Sequence, residues 1–136
     1  IEKIAKTPER LIHEYTARTQ TSLVRNVHVE DNAQVAVSAK DFERVLINLD
    51  HNNTRHAGGC GYDISLRLAT SNNESFILME VRQDHVWKEP ESDLGHLKTL
   101  IQIAKKHGGY CEINPPDCDS VLIIAFPIWP LNSDNL

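Results

Sequence analysis

The stretch between Ser38 and Gly59 constrains the fold more than any other part of the chain. Phe42, Val45, Leu46, Leu49 and Asn53 recur at three- and four-residue spacing, the period of a helix with one buried stripe. Ser38 supplies an N-cap hydroxyl, and Asp41, three residues on, makes a near capping box. Gly58 and Gly59 permit a left-handed turn out of the helix. Such a helix needs an apolar surface to lie on. The next two runs, 61–68 and 75–83, read as strands joined through Ser71-Asn72-Asn73 as a hairpin.

The rest of the chain repeats this alternation. Thr7-Pro8-Glu9 starts a helix with a capping hydroxyl, a proline at the first helical position and an acid, and the helix runs to about Gln20. Residues 22–30 read as a strand, alternating through Val27 and Val29. Asp31-Asn32 is a turn, and 34–37 is a short second strand. Residues 84–93 form a polar loop containing Trp87 and Pro90. Residues 94–107 form a second strong helix, with Leu97, Leu100, Ile101 and Ala104 on one face and Gly108-Gly109 closing it. A final strand pair, 110–113 and 121–127, flanks Asn114-Pro115-Pro116-Asp117. This order predicts an α+β fold: a two-layer sandwich of a mixed, mainly antiparallel sheet covered on one face by three helices. Residues 1–130 are expected to form one domain, and 131–136 a frayed tail. A chain of 136 residues can bury a core without metal or disulfide support.

A formal net charge of −5 argues against a general nucleic-acid binder, which carries a basic face. No run of about 18 apolar residues exists to span a membrane, and no signal peptide is present. The start at Ile1 reads as a domain excised from a longer protein. The expected location is cytoplasmic, either free or as the cytoplasmic part of a membrane-bound sensor. Cys60, Cys111 and Cys118 lack paired spacing and read as free thiols in a reducing compartment. A zinc site from His107, Cys111 and Cys118 has no CxxC or HExxH spacing behind it.

The first long helix also carries the chemistry. Asparagine is a weak helix former, yet Asn48, Asn52 and Asn53 fall within two turns. Polar residues on a helix are most often its solvated face. Here Asn48 and Asn52, four apart, stack on one face, and an amide oxygen is a hard ligand suited to magnesium. The run Asn48-Leu49-Asp50-His51-Asn52-Asn53-Thr54-Arg55-His56 resembles the N-L-x-x-N-A-x-[KR]-[FYH] box of GHKL ATPase domains, the nucleotide-binding domains of two-component sensor histidine kinases. Gly108-Gly109 after His107 and the last strand VLIIAFPI resemble the end of the same domain, so the likeness runs from about Thr7 to Ile128. The resemblance implies that Asn52 holds the magnesium of Mg-ATP and that Asn48 lies one turn before it. It also implies that Arg55 reaches a phosphate and that His56 lies beside the base or ribose. Asn53 stands where the family has a small alanine.

Two further boxes depart from the pattern. At D-x-G-x-G, Gln83 or Asp84 takes the position of the adenine-binding acid. His85 and Trp87 take the glycine positions, and Trp87 is expected to crowd or cover the pocket. At G-x-G-L-G only Gly95 remains, and Asp93 brings negative charge near a triphosphate. The lid, from about Trp87 to Asp93, is short. The expected nucleotide site is therefore Asn48, Asn52, Arg55, His56, Gln83, Asp84 and Gly95, with Asn52 on the metal and no catalytic side chain of the domain's own. His13-Glu14 resembles a phosphoacceptor sequence, but His13 reads as a surface histidine.

The function implied is the ATP-binding domain of a sensor histidine kinase, with a partly degraded site. It would phosphorylate a histidine on an upstream dimerisation domain and work with a response regulator. The alternative is a pseudokinase or phosphotransferase-like domain that binds no ATP and docks a response regulator or partner kinase. A third reading is a serine-kinase-type anti-sigma factor of the same group.

Overall fold

The computed structural model describes residues 6–56, 60–84, 87, 96–115 and 120–129, with residues 55, 56 and 96 described by their backbone only. The elements are α1 (Pro8–Thr19), β1 (Val24–Val29), α2 (Ala39–His56), β2 (Tyr62–Ser71), β3 (Glu74–Arg82), α3 (His96–Lys106), β4 (Tyr110–Ile113) and β5 (Val121–Pro127). Five strands make one sheet in the order β1-β2-β3-β5-β4. β1 lies parallel to β2, across a connection that contains α2, and the other pairings are antiparallel. The architecture is the mixed, mainly antiparallel two-layer sandwich expected from the element order.

Local chemistry accounts for the boundaries. Thr7 Oγ1 accepts from the Arg10 N–H at 3.3 Å, and Gln20 ends α1 in a left-handed conformation at φ 54°. Ser38 Oγ accepts from the Asp41 N–H at 3.1 Å to start α2. Asn72 and Asn73, at φ 54° and 66°, make the two-residue turn whose handedness suits the twist of β2 and β3. Residues 34–37 do not form the second strand that was expected. Val35 makes one isolated antiparallel bridge to Ile128, and the Ala36 N–H donates to the Pro127 carbonyl at 2.9 Å. One bridge does not make a ladder, so the segment serves as a brace beyond the end of β5.

The cross-strand pairs Ile64↔Val81, Leu66↔Met79, Met79↔Ile124 and Ile77↔Phe126 put one face of every central strand into the core. Leu11, Ile12 and Tyr15 of α1, Phe42, Val45, Leu46 and Leu49 of α2, and Leu97, Leu100 and Ile103 of α3 join them in one buried cluster. Phe42 and Phe126 meet with ring centroids 5.3 Å apart. The opposite face carries the Arg67–Glu80 ion pair at 3.0 Å and a small cluster of Phe76, Leu78 and Ala125.

A polar clamp joins α2 to the end of α3. Asp41 and His107 are both almost fully buried, and His107 Nε2 lies 2.7 Å from Asp41 Oδ2. Lys106 Nζ reaches the same oxygen at 3.1 Å, and Arg44 lies 3.3 Å from the other. Burial alone would raise the Asp41 pKa. The hydrogen bonds from His107 and Lys106 outweigh it and hold the carboxyl at about 2. The unfolded value is 3.8. The stabilisation from this shift is therefore complete above about pH 4 and is lost as pH falls towards 2. Urea melts between pH 5 and pH 2 should show this loss, and Asp41→Asn should flatten it while costing roughly 1–3 kcal/mol at neutral pH.

Gly109 is fixed by space. A Cβ there would sit 1.9 Å from the Ala125 carbonyl oxygen, while its N–H closes α3 onto Ala104 O at 2.8 Å. Gly109→Ala must push β4 off β5, so it should destabilise the domain by at least ~2 kcal/mol. An unchanged thermal midpoint would refute that close approach.

Candidate functional site

The polar half of α2 meets the sheet where β2 begins. Asn53 is fully buried and acts as a staple: its Oδ1 accepts from the Gly61 N–H at 2.9 Å, and its Nδ2 donates to the Ser22 carbonyl at 3.2 Å. Gly61 is needed there, at φ +85°, because a Cβ would lie 2.7 Å from Ser22 O. One amide thus ties α2 to the residues that lead into β1 and β2.

Asn52 is also buried. Its Nδ2 donates to the Tyr62 hydroxyl at 2.6 Å, and that hydroxyl donates to the Leu49 carbonyl at 3.2 Å. Among the described residues no donor meets Asn52 Oδ1, the atom a cation would use. Asn48 is half-buried one turn earlier, with its Nδ2 donating to the Arg44 carbonyl at 2.7 Å.

The segment after β3 comes to the same place. Trp87 is 2 % exposed and stacks on the Tyr62 ring, with centroids 5.4 Å apart and planes 26° from parallel. Its Nε1–H donates to the Ser120 carbonyl at 3.2 Å. Asn114 grips the Trp87 backbone from both sides: Oδ1 accepts from its N–H at 3.2 Å, and Nδ2 donates to its carbonyl at 2.8 Å. Asn114 and Ser120 hold positive φ angles of 50° and 70° to present these groups.

Gln83 is the remaining member. Its N–H donates to Ser120 O at 3.1 Å, and its side chain is buried on the helix-covered face. Gln83 Oε1 is buried with no hydrogen-bond partner. Asp84 does not join the group. It is exposed and lies 3.6 Å from Arg25, on the edge strand β1. The strand's alternation decides between these neighbours, since Val81 and Gln83 point inward together. Gly95 and the side chains of Arg55 and His56 lie outside the described residues. His13 is exposed on α1, 3.6 Å from Glu9. Among the described residues no group of three His, Cys, Asp or Glu could hold a metal. Cys60 is exposed and Cys111 half-buried, and the two are not joined to each other by a disulfide.

The structure therefore brings Asn52, Tyr62, Gln83 and Trp87 to one end of the sheet. Of these, sequence reasoning had no signal for Tyr62, which reads as an ordinary strand residue, nor for the Asn114 and Ser120 backstop.

No family model and no curated protein matches the chain by sequence. Solved structures do match. The Acinetobacter baumannii histidine kinase AdeS superposes with a TM-score of 0.63 at 15% identity, over 95% of this chain and 68% of that one. The histidine kinase domain of the E. coli osmosensor EnvZ gives 0.63 at 13%, over 100% and 95%. The ATP binding domain of PrrB from Mycobacterium tuberculosis gives 0.62 at 18%, over 94% and 98%. The fold is that of the sensor-histidine-kinase catalytic domain. At these identities the likeness is one of fold. Within this fold, Asn53 fastens α2 to the sheet through both atoms of its amide. Asn53→Ala should strand the buried Gly61 N–H and cost about 1–3 kcal/mol in urea melts. A loss below a few tenths would show that the amide is not holding these elements together.

Proposed function

We propose that the chain is the ATP-binding domain of a cytoplasmic sensor histidine kinase, working with an upstream dimerisation domain that carries the phosphoacceptor histidine and with a response regulator. The single observation that carries the reading is the buried amide oxygen of Gln83, which no described donor meets, at the same end of a histidine-kinase fold as Asn52. A buried acceptor left unmet costs on the order of 1–3 kcal/mol, and a bound group supplies what it lacks. The residues fit Mg-ATP in chemistry. Asn52 offers magnesium a hard oxygen, and Asn48 extends the same helix face. Gln83 offers an acceptor to an exocyclic amine of a base. By resemblance Arg55 would take a phosphate, and His56 and Gly95 would line the nucleotide.

Magnesium, when bound with ATP, neutralises charge on the transferred phosphoryl group. The chain's own residues orient it: Tyr62 fixes the Asn52 rotamer through a hydroxyl anchored on Leu49, and the inner end of β3 sets the height of Gln83. No side chain of this domain needs to accept or donate a proton, because the acceptor histidine belongs to another domain.

A second reading is favoured by Trp87, which fills the space beside Tyr62. On that reading the domain takes no nucleotide and docks a response regulator or a partner kinase.

Calorimetric titration with Mg-ADP distinguishes the two. The first reading expects saturable, magnesium-dependent binding between micromolar and millimolar Kd, weakened about tenfold or more by Asn52→Ala. The variant loses one buried hydrogen bond, so its thermal midpoint should fall by only a few degrees. Absence of binding in the wild-type chain at millimolar nucleotide would leave the docking reading.

A further inference from the structure

We infer that the base-binding slot of this domain is occupied by its own Trp87, and that a planar heterocyclic ligand must displace that indole to enter. The inference rests on the nucleotide reading above and concerns how that same site is opened and closed.

Tyr62 offers one flat, buried aromatic face at the inner end of the sheet, and Trp87 lies stacked against it, nearly parallel. Offset stacking at such a separation is the geometry a nucleobase adopts on an aromatic residue. The occupant is polar-handled in the same way as a base. The indole N–H is met by a backbone carbonyl, Ser120 O, which also accepts from the Gln83 N–H. Nothing meets Gln83 Oε1. The indole carries one N–H and no second donor. It satisfies the slot's apolar face and the Ser120 carbonyl, and it leaves the oxygen of Gln83, whose backbone N–H shares that carbonyl, without a donor among the described residues. A heterocycle with an exocyclic amine would meet both demands.

Trp87 is held as a latch and does not merely fill space. Its backbone N–H and carbonyl are both bonded to the side chain of Asn114, at the end of β4. Asn114 Oδ1 also accepts from the Ser120 N–H at 3.2 Å, and the Asn114 N–H closes on Val121 O at 2.8 Å. The latch is therefore seated on the β4–β5 junction, which is continuous with the core. Releasing Trp87 breaks one indole bond and one stack, and the two bonds to Asn114 only if the backbone moves as well.

The test uses the full chain carrying Trp129→Phe, which leaves Trp87 as the one tryptophan of the two in the sequence. Mg-ADP is the probe, read by calorimetry and by the Trp87 indole N–H resonance. The expected result is saturable binding accompanied by a shift and loss of exchange protection at that N–H. Trp87→Ala and Trp87→Leu should bind Mg-ADP at least tenfold tighter than the parent. Saturable binding with the indole signal unmoved overturns the latch and leaves the nucleotide reading standing. Equal affinity in the parent and in both folded variants does the same. If neither parent nor variants bind at millimolar Mg-ADP, both the latch and the nucleotide reading fall. The indole measurement is made on folded protein with Trp87 in place, so it decides the matter even where the variants do not fold.

Discussion

The Tyr62 hydroxyl is a buried polar joint between the helix layer and the sheet. It takes a proton from Asn52 and gives one to the Leu49 carbonyl, so a residue at the start of β2 is locked to two consecutive turns of α2. Its ring supports Trp87. The seat of α2 over the start of β2 and the rotamer of the Asn52 amide both depend on this side chain. Buried hydroxyls are tolerated only when their bonds are complete, and this one is complete only while α2 stays in register.

Beside it, Asn53 explains how a helix so rich in asparagine is stable. Each asparagine costs helix propensity, and each regains it differently. Asn48 bonds back to its own helix, Asn52 bonds to the sheet, and Asn53 bonds to the two backbone segments beneath. Each asparagine of the cluster thus has a structural bond of its own. The resemblance to an N-box identified the helix, and the structure shows how much of the box is spent on packing.

Much of this was legible beforehand, for local reasons. The helical spacing of Phe42, Val45, Leu46 and Leu49, the paired asparagines at the β2–β3 turn, and the glycines after α3 are signals carried within a few residues. The parallel pairing of β1 with β2 was not legible, because nothing in either strand encodes the direction of a partner nearly forty residues away. The segment 34–37 reads as a strand because it is short, apolar and rich in valine, and composition does not count hydrogen bonds. At the candidate site the motif names Asn52 with either Gln83 or Asp84; the phase of β3 buries Gln83 and leaves Asp84 exposed. The inward turn of Trp87 depends on Asn114, which reads in sequence as part of an ordinary turn, and on Ser120, which carries no signal.

The Asp41–His107 clamp bears on this arrangement from a distance. Asp41 lies eleven positions before Asn52, roughly 16 Å along the helix axis. It fastens the beginning of α2 to the end of α3, adding a polar clamp at one end of the apolar contact between them. The other tips, where Asn52 sits and where α3 begins, are not joined by any comparable charge pair among the described residues. Any rotation of one helix about that clamp would move the far tips most, and Asn52 lies near one of them.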